Sequence, residues 1–526
     1  MSLVKNILKI ALCTGVLIGN TCYLGAQEVK KNPFSENVYQ SIFYVNDTHG
    51  QLPTMTKINS AAAQFDAVTS AMPKVDAFRL SAGDIMIGAN EKADLASAAF
   101  MNVSNLQATA VGNHEFDIGA TTLAKVYETY KHPKLAANCT IPDKNPLKKQ
   151  IISSMVLTGK TGEKYGLIGA QSPTLIERMK DKSLFEGIVI SGGKKAYADL
   201  QKEVNKLQKQ GINKIIMISH SGYEEEKEFA KNISGVDVII GGHSHDLIFD
   251  ITEGANLQYS PKGEPVVITQ AGRDGKNFGI LNVEYDKNGV IIKAQNNVFK
   301  TSDFGKGLMM LTATDVILGQ SPVIAKIESI EPLTDRMNVE ENPYIDVFMD
   351  MVKKETGVDI VLVNSANFRG GLEKGKVTER DISGIFPFKN KMCIVEIPEK
   401  NLIDALNFGG KSVLAPDLKP SIIQVSGMTY TMDKNGNVTY AAIIDKNGKK
   451  KEISVTNPSK DKIYTAAYDD YLANGGDGFK MMKDVKVLKV FDYDKDMIIL
   501  QHLKKFNGKN LKSINIKRDG RIKFEN

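Results

Sequence analysis

The chain has 526 residues, room for roughly two to four domains at about 100–200 residues each. With 42% apolar and 24% charged residues its composition is ordinary for a globular protein, which excludes a wholly disordered chain, a collagen and a polytopic membrane protein. Lys plus Arg number 67 against 61 Asp plus Glu, a net charge of +6 too diffuse for a nucleic-acid-binding face, and four cysteines exclude a disulfide scaffold.

Residues 1–26 show three zones: Lys5 and Lys9, an apolar run over residues 10–19, and small residues ending at Ala26. That order predicts a secretory signal peptide, and the run is too short to span a bilayer. The chain is therefore expected to be secreted, periplasmic or extracellular at the cell surface, without a transmembrane anchor. Cleavage would remove Cys13 and Cys22. Cys139 and Cys393 then fall in different predicted domains, so no disulfide is expected.

Over residues 38–300, short apolar runs alternate with helical patterns. Residues 41–45, 77–81, 107–111, 214–219 and 236–240 read as buried strands. Tyr197, Leu200, Val204 and Leu207 share one face of a helix that Gly211 stops. This rhythm predicts an α/β layered domain closed by a hairpin at Asp286–Gly289. Residues 301–322 read as a linker. Residues 323–526 read as a second, α+β domain. Asn342 caps a helix with Pro343 at its first position, and Gly357 ends that helix. Asn435-Gly436 and Asn447-Gly448 make hairpin turns.

Of seven histidines, His49, His114, His220, His243 and His245 each close or follow one of the predicted strands. Asp47 and His49 follow the first, Asp84 the second, and Asn113, His114 and Asp117 the third. His220 ends the fourth, and His243 and His245 follow the fifth. Ligands in open α/β sheets bind beyond the carboxyl ends of strands, so these groups are expected to converge. Any one of them alone reads equally well as a surface or core residue. Carboxylate, imidazole and amide donors without thiolate suit a borderline divalent metal such as Zn or Mn, and seven donors exceed one tetrahedral site. His132 and His502 lie outside the pattern.

The ordered set Asp47-x-His49, Gly83-Asp84, Gly112-Asn113-His114-Glu115, His220 and Gly242-His243-Ser244-His245 resembles the calcineurin-like metallophosphoesterases. Residues 364–369 (NSANFR), Pro387-Phe388 and residues 471–479 (YLANGGDGF) are similar to the 5′-nucleotidase family, which includes UDP-sugar hydrolases. The resemblance implies an α/β metallophosphoesterase domain of four-layer sandwich type with mixed sheets, followed by an α+β substrate-binding domain. It implies two divalent metal ions. Asp47, His49, Asp84 and His245 would hold one, and Asp84, Asn113, His220 and His243 the other, with Asp84 bridging. His114 and Asp117 would form the catalytic dyad, although Asp117 also reads as an acid at a helix start. Phe388 and Tyr471 would sandwich the base, and Asp477 would bind the ribose hydroxyls. Asn364, Arg369 and Arg336 would contact the nucleotide. Outside their motifs, both rings read as core aromatics.

The expected activity is hydrolysis of nucleoside 5′-monophosphates. Alternatives are UDP-sugar or 2′,3′-cyclic nucleotide hydrolysis and, from another class, a nucleotide-binding surface protein. Where the family commonly has Asn-Gly-Gly-Gly-Ile-Arg, this chain has Ser365, Ala366 and Asn367 in place of the glycines. Three side chains are thus expected where the backbone should meet substrate.

Overall fold

The computed structural model describes residues 37–88, 91–172, 182–304, 321–332, 339–369, 371–386, 388, 390–415, 421–506 and 511–525. The expected signal peptide, Arg336, Pro387 and most of the expected linker lie outside the described residues. The chain forms two compact units, 1–320 and 321–526.

The first unit is built on two mixed sheets. In the seven-stranded sheet, Val38–Val45 (β1), Val75–Ser81 (β2) and Ala108–Ala110 (β3) are parallel neighbours. The six-stranded sheet sets Ile215–His220 (β4), Val238–Ile240 (β5) and Pro265–Thr269 (β6) in parallel. Side chains alternate across a strand, and here both faces are covered. Ile42 and Tyr44 of β1 join Leu80, Ile216, Ile218, Val238 and Ile240 in a core between the two sheets. Phe43 and Val45, pointing the other way, pack under helices Leu52–Ser70 (α1), Glu91–Val103 (α2) and Ala120–Glu128 (α3). Each such side chain contributes about 1.5–3 kcal/mol on burial.

Helices Gly193–Gln208 (α4) and Tyr223–Asn232 (α5) cover the far side of the six-stranded sheet. The result is four layers, helix–sheet–sheet–helix. Leu200, Val204 and Leu207 form the buried face of α4, and Tyr197 stands edge-on to Phe229 at 5.9 Å. The turn at Asp286–Gly289 joins Asn277–Tyr285 (β7) to Ile291–Lys300 (β8), with Asp286 accepting from the Asn288 and Val290 amides.

The second unit is α+β. Asn342 caps helix Pro343–Thr356 (α6) by accepting from the Tyr344 amide at 3.0 Å, and Gly357 ends it at φ +70°. Arg521, just before the last strand, ties it back to α6 by donating to Asp350, and it also donates to its near neighbour Asp519. A five-stranded sheet places Ile463–Asp469 (β11) between Ile360–Asn364 (β9), parallel to it, and Lys391–Pro398 (β10), antiparallel. The loops after β9 and β11 and the loop before β10 therefore leave the sheet at one edge. Cys139 and Cys393 are free. No helix among the described residues is long and apolar enough to cross a membrane.

Candidate active site

Five strands of the first unit, three parallel neighbours from one sheet and two from the other, end at the same place. Asp47 and His49 follow β1, Asp84 follows β2, and Asn113 and His114 follow β3. His220 ends β4, and His243 and His245 follow β5. Abrupt turns after these strands put side chains in the left-handed region: Asp47, His49, Asp84, His243 and His245 have φ between +49° and +78°. Such positions cost about 1–3 kcal/mol each and persist where the surroundings over-determine them. Gly112 permits a close approach, since a Cβ there would lie 2.1 Å from Asp84 Oδ1.

The ligand atoms of Asp47, His49 and His245 lie within 4.8 Å of one another, as do those of Asp47, Asp84 and His220. Asp47 Oδ1 is 3.3 Å from His245 Nε2 and 3.7 Å from His49 Nε2. Asp84 Oδ2 is 3.2 Å from His220 Nε2 and 3.5 Å from His49 Nε2. Asn113 Oδ1 meets His243 Nδ1 at 2.7 Å and His220 Nε2 at 3.1 Å. His114 Nδ1 hydrogen-bonds Asp117 Oδ2 at 2.6 Å, and the His114 ring stands edge-on to His49. His132 is buried among Tyr130 and Lys134, and His502 pairs with Glu355 in the second unit.

Burial raises the proton affinity of Asp47, but His245 and His220 outweigh it and hold the carboxyl below its usual range. Burial acts likewise on Asp84, where His220 and His114 prevail. Burial presses the opposite way on His220, yet Asp84 and Asp47 push it up. His243 falls to about 3 through burial and the His220 charge, and His245 to about 4 through burial. The cluster therefore combines ionised oxygen at Asp47 and Asp84 with neutral imidazole at His243 and His245. Asp47 Oδ1 and His49 Nε2 are buried with no hydrogen-bond partner. Leaving such atoms unsatisfied costs about 1–3 kcal/mol each. Two orphaned donor atoms aimed into a nest of carboxylates and imidazoles fit a bound divalent cation.

Several supporting residues escape sequence reasoning. Asp274, at φ +59° beyond β6, accepts from His49 Nδ1 at 3.0 Å, which turns His49 Nε2 toward the cluster. Its amide donates to the Asp47 carbonyl. Reading Pro265–Thr269 as a sixth strand would expose it by the same strand-then-acid pattern. Glu115 accepts from the amides of Asp84, Ile85 and Gly112, and Glu226 accepts from Gly242 and Gln270, so each buried glutamate braces a donor loop. Burial and then Asp84 push Glu115 up to about 8. Asp94, raised to about 7 mainly by burial, holds the Ile87 and Gly88 amides. Gly88 packs on Asp117 so closely that a Cβ would lie 2.5 Å from the Asp117 Cβ.

An acid that holds the far ring nitrogen of a metal-binding histidine orients it, and losing such an acid costs about 10–100-fold in metal affinity. Asp274→Asn is expected to weaken Zn or Mn binding by that amount in competition with a chromogenic chelator, with saturating metal restoring turnover. Wild-type affinity in the variant would refute the orienting role.

In the second unit, the sheet edge gathers the remaining residues. Asn364 Nδ2 donates to Asp477 Oδ2, and Tyr471 Oη donates to Asp477 Oδ1 at 2.9 Å. Asp477 sits at φ +49°. The Arg369 guanidinium lies 5.3 Å over the Phe388 ring. Neither Phe388 nor Tyr471 is a core aromatic, as both are half-buried.

Residues 41–247 match the calcineurin-like phosphoesterase family, and residues 320–484 match the 5'-nucleotidase C-terminal domain. The chain belongs to the 5′-nucleotidase family. This family member is 24% identical to the trifunctional nucleotide phosphoesterase protein YfkN of Bacillus subtilis, over 92% of this chain but 35% of that protein. It is 26% identical to the 5'-nucleotidase of Mus musculus, over 92% of this chain and 90% of the mouse protein. A 5'-nucleotidase precursor from Thermus thermophilus shares the fold, with a TM-score of 0.71 at 23% identity over 93% of this chain and 99% of that one. As a family member the chain is a metal-dependent phosphoesterase.

In this 5′-nucleotidase family member the Ser365 and Asn367 side chains, which take the place of two of the family's glycines, bond within the second unit. Ser365 Oγ donates to the Ile422 carbonyl and accepts from Gln424, and Asn367 Oδ1 accepts from Lys495. Residues Ser365–Asn367 form a tight turn capped by Asn364, which directs these side chains into the protein, where they are buried.

Proposed function

We propose that the protein is a secreted 5′-nucleotidase that hydrolyses nucleoside 5′-monophosphates to nucleoside and phosphate with two divalent cations of the Zn or Mn kind. The observation that carries this reading is the pair of orphaned atoms, Asp47 Oδ1 and His49 Nε2, inside a cluster of carboxylate, imidazole and amide donors. Asp47, His49, Asp84 and His245 would hold one cation. Asp84, Asn113, His220 and His243 would hold the other, and Asp84 would bridge them. When bound, such cations neutralise phosphoryl oxygens and make water acidic enough to ionise near neutral pH.

The chain's own groups supply the rest. The contact between His114 Nδ1 and Asp117 fixes the ring and favours its protonated form, leaving Nε2 to face the phosphoryl group. The water oxygen bonds to phosphorus, the bond from phosphorus to O5′ breaks in line, and a proton passes to the departing O5′. Phe388 and Tyr471 take the base, Asp477 the ribose hydroxyls, and Asn364 and Arg369 complete the nucleotide contacts. Arg336 is a further candidate outside the described residues. Stacking tolerates any nucleobase, so broad base acceptance is expected.

A phosphate-release panel of AMP, UDP-glucose and 2′,3′-cyclic AMP on metal-replete protein tests the assignment. AMP should dominate, and preference for either other substrate would replace the reading. Stacking is worth about 1–3 kcal/mol per base, or roughly 5- to 150-fold in affinity. Tyr471→Ala should raise KM for AMP on that scale, far more than for p-nitrophenyl phosphate. Equal effects on the two substrates would deny the ring its stacking role. Secretion is tested by the N-terminus of mature protein, which should begin at Gln27.

A further inference from the structure

Lys495 is fully buried, and it is the first residue of helix Lys495–Lys504. A cation is disfavoured at a helix start, where the backbone dipole is positive, and a buried ammonium needs partners. The placement therefore does not serve the helix. It serves what the ammonium holds. Nζ donates to Asn367 Oδ1 and to Asp469 Oδ2, each at 2.8 Å, and the Lys495 amide donates to the Asn390 carbonyl at 3.3 Å. Asn390 Nδ2 in turn reaches Asn367 Oδ1 at 3.4 Å and Asp469 Oδ2 at 3.5 Å.

These partners belong to three different loops. Asn367 lies between Asn364 and Arg369 in the loop after β9. Asn390 lies two residues beyond Phe388, in the loop before β10. Asp469 ends β11, and its Oδ1 caps the turn carrying Tyr471 by accepting from the Leu472 amide at 3.0 Å. One lysine thus spans every segment that supplies a residue to the proposed nucleoside contacts, excepting Arg336. Asn367 stands where the resembling family commonly has glycine, which offers no side-chain acceptor.

We infer that Lys495 is a positioning residue that locks the three loops into one geometry and so sets affinity for the nucleoside part of the substrate. The inference rests on the 5′-nucleotidase reading above. A lock of this kind acts on binding and leaves the phosphoryl chemistry of the first unit alone.

The test compares Lys495→Met, Lys495→Arg and Asn367→Gly with wild type, on AMP and on p-nitrophenyl phosphate, with metal content and Tm measured alongside. Lys495→Met should raise the ratio of KM for AMP to KM for p-nitrophenyl phosphate by about ten-fold, the scale of a lost hydrogen-bonding partner. Lys495→Arg should recover part of that ratio, and metal content should not change. If Lys495→Met does not fold, Asn367→Gly keeps the Lys495–Asp469 pair and should still raise the ratio. A lowered Tm with the wild-type KM ratio in the folded variants would overturn the lock. The two readings fail differently. Wild-type protein that ignores AMP ends the nucleotidase reading, whereas a Tyr471→Ala effect without a Lys495 effect ends only the lock.

Discussion

Asp84→Asn is expected to unload the cation centre and to lower kcat/KM for AMP by about 10³-fold, the upper range for loss of one electrostatic stabiliser. Asp84 Oδ2 lies within 3.5 Å of both His49 and His220, so it adjoins both proposed donor groups. Asp84 Oδ1 accepts from the His114 amide at 2.9 Å, so the same carboxylate also seats the dyad. An amide keeps the shape but removes the charge that two cations would share. Elemental analysis should find fewer than two ions per chain in the variant. Two tightly held ions with wild-type turnover would refute the bridging assignment.

His114→Ala should cut kcat by about 10²–10⁴-fold while metal content stays at the wild-type level. The imidazole is tied to Asp117 at 2.6 Å, and its ligand atom lies within 4.8 Å of those of His49 and Asp84. On the proposed reading it acts on the phosphoryl group and is not itself one of the cation's donors. The loss should be smaller for p-nitrophenyl phosphate, whose leaving group departs without a proton, than for AMP. A kcat unchanged on both substrates would remove the dyad from the mechanism.

Particular residues show what can be read from the sequence and what cannot. His49, Asp84, Asn113, His220, His243 and His245 are legible because each closes or closely follows an apolar run. Parallel strands carry such neighbours to one sheet edge whatever the loops between them do. Asp274 obeys the same rule, but its partner His49 lies 225 positions away, so nothing local marks it. Asp94 and Glu226 read as ordinary helix acids, since only packing shows that they brace loops of the site. The Asn367 side chain is buried and accepts from Lys495. Sequence shows that a glycine is replaced, but not which way the new side chain turns.

The sequence by itself determined the layered α/β first unit, the α+β second unit and the strand-end gathering of donors, because burial periodicity and turn residues act over a few positions. Only the tertiary structure decided which oxygen faces which nitrogen, which acids orient the histidines and where Lys495 reaches. Those contacts join residues far apart in the chain, and their geometry is set by how the sheets and loops pack rather than by any neighbour in sequence.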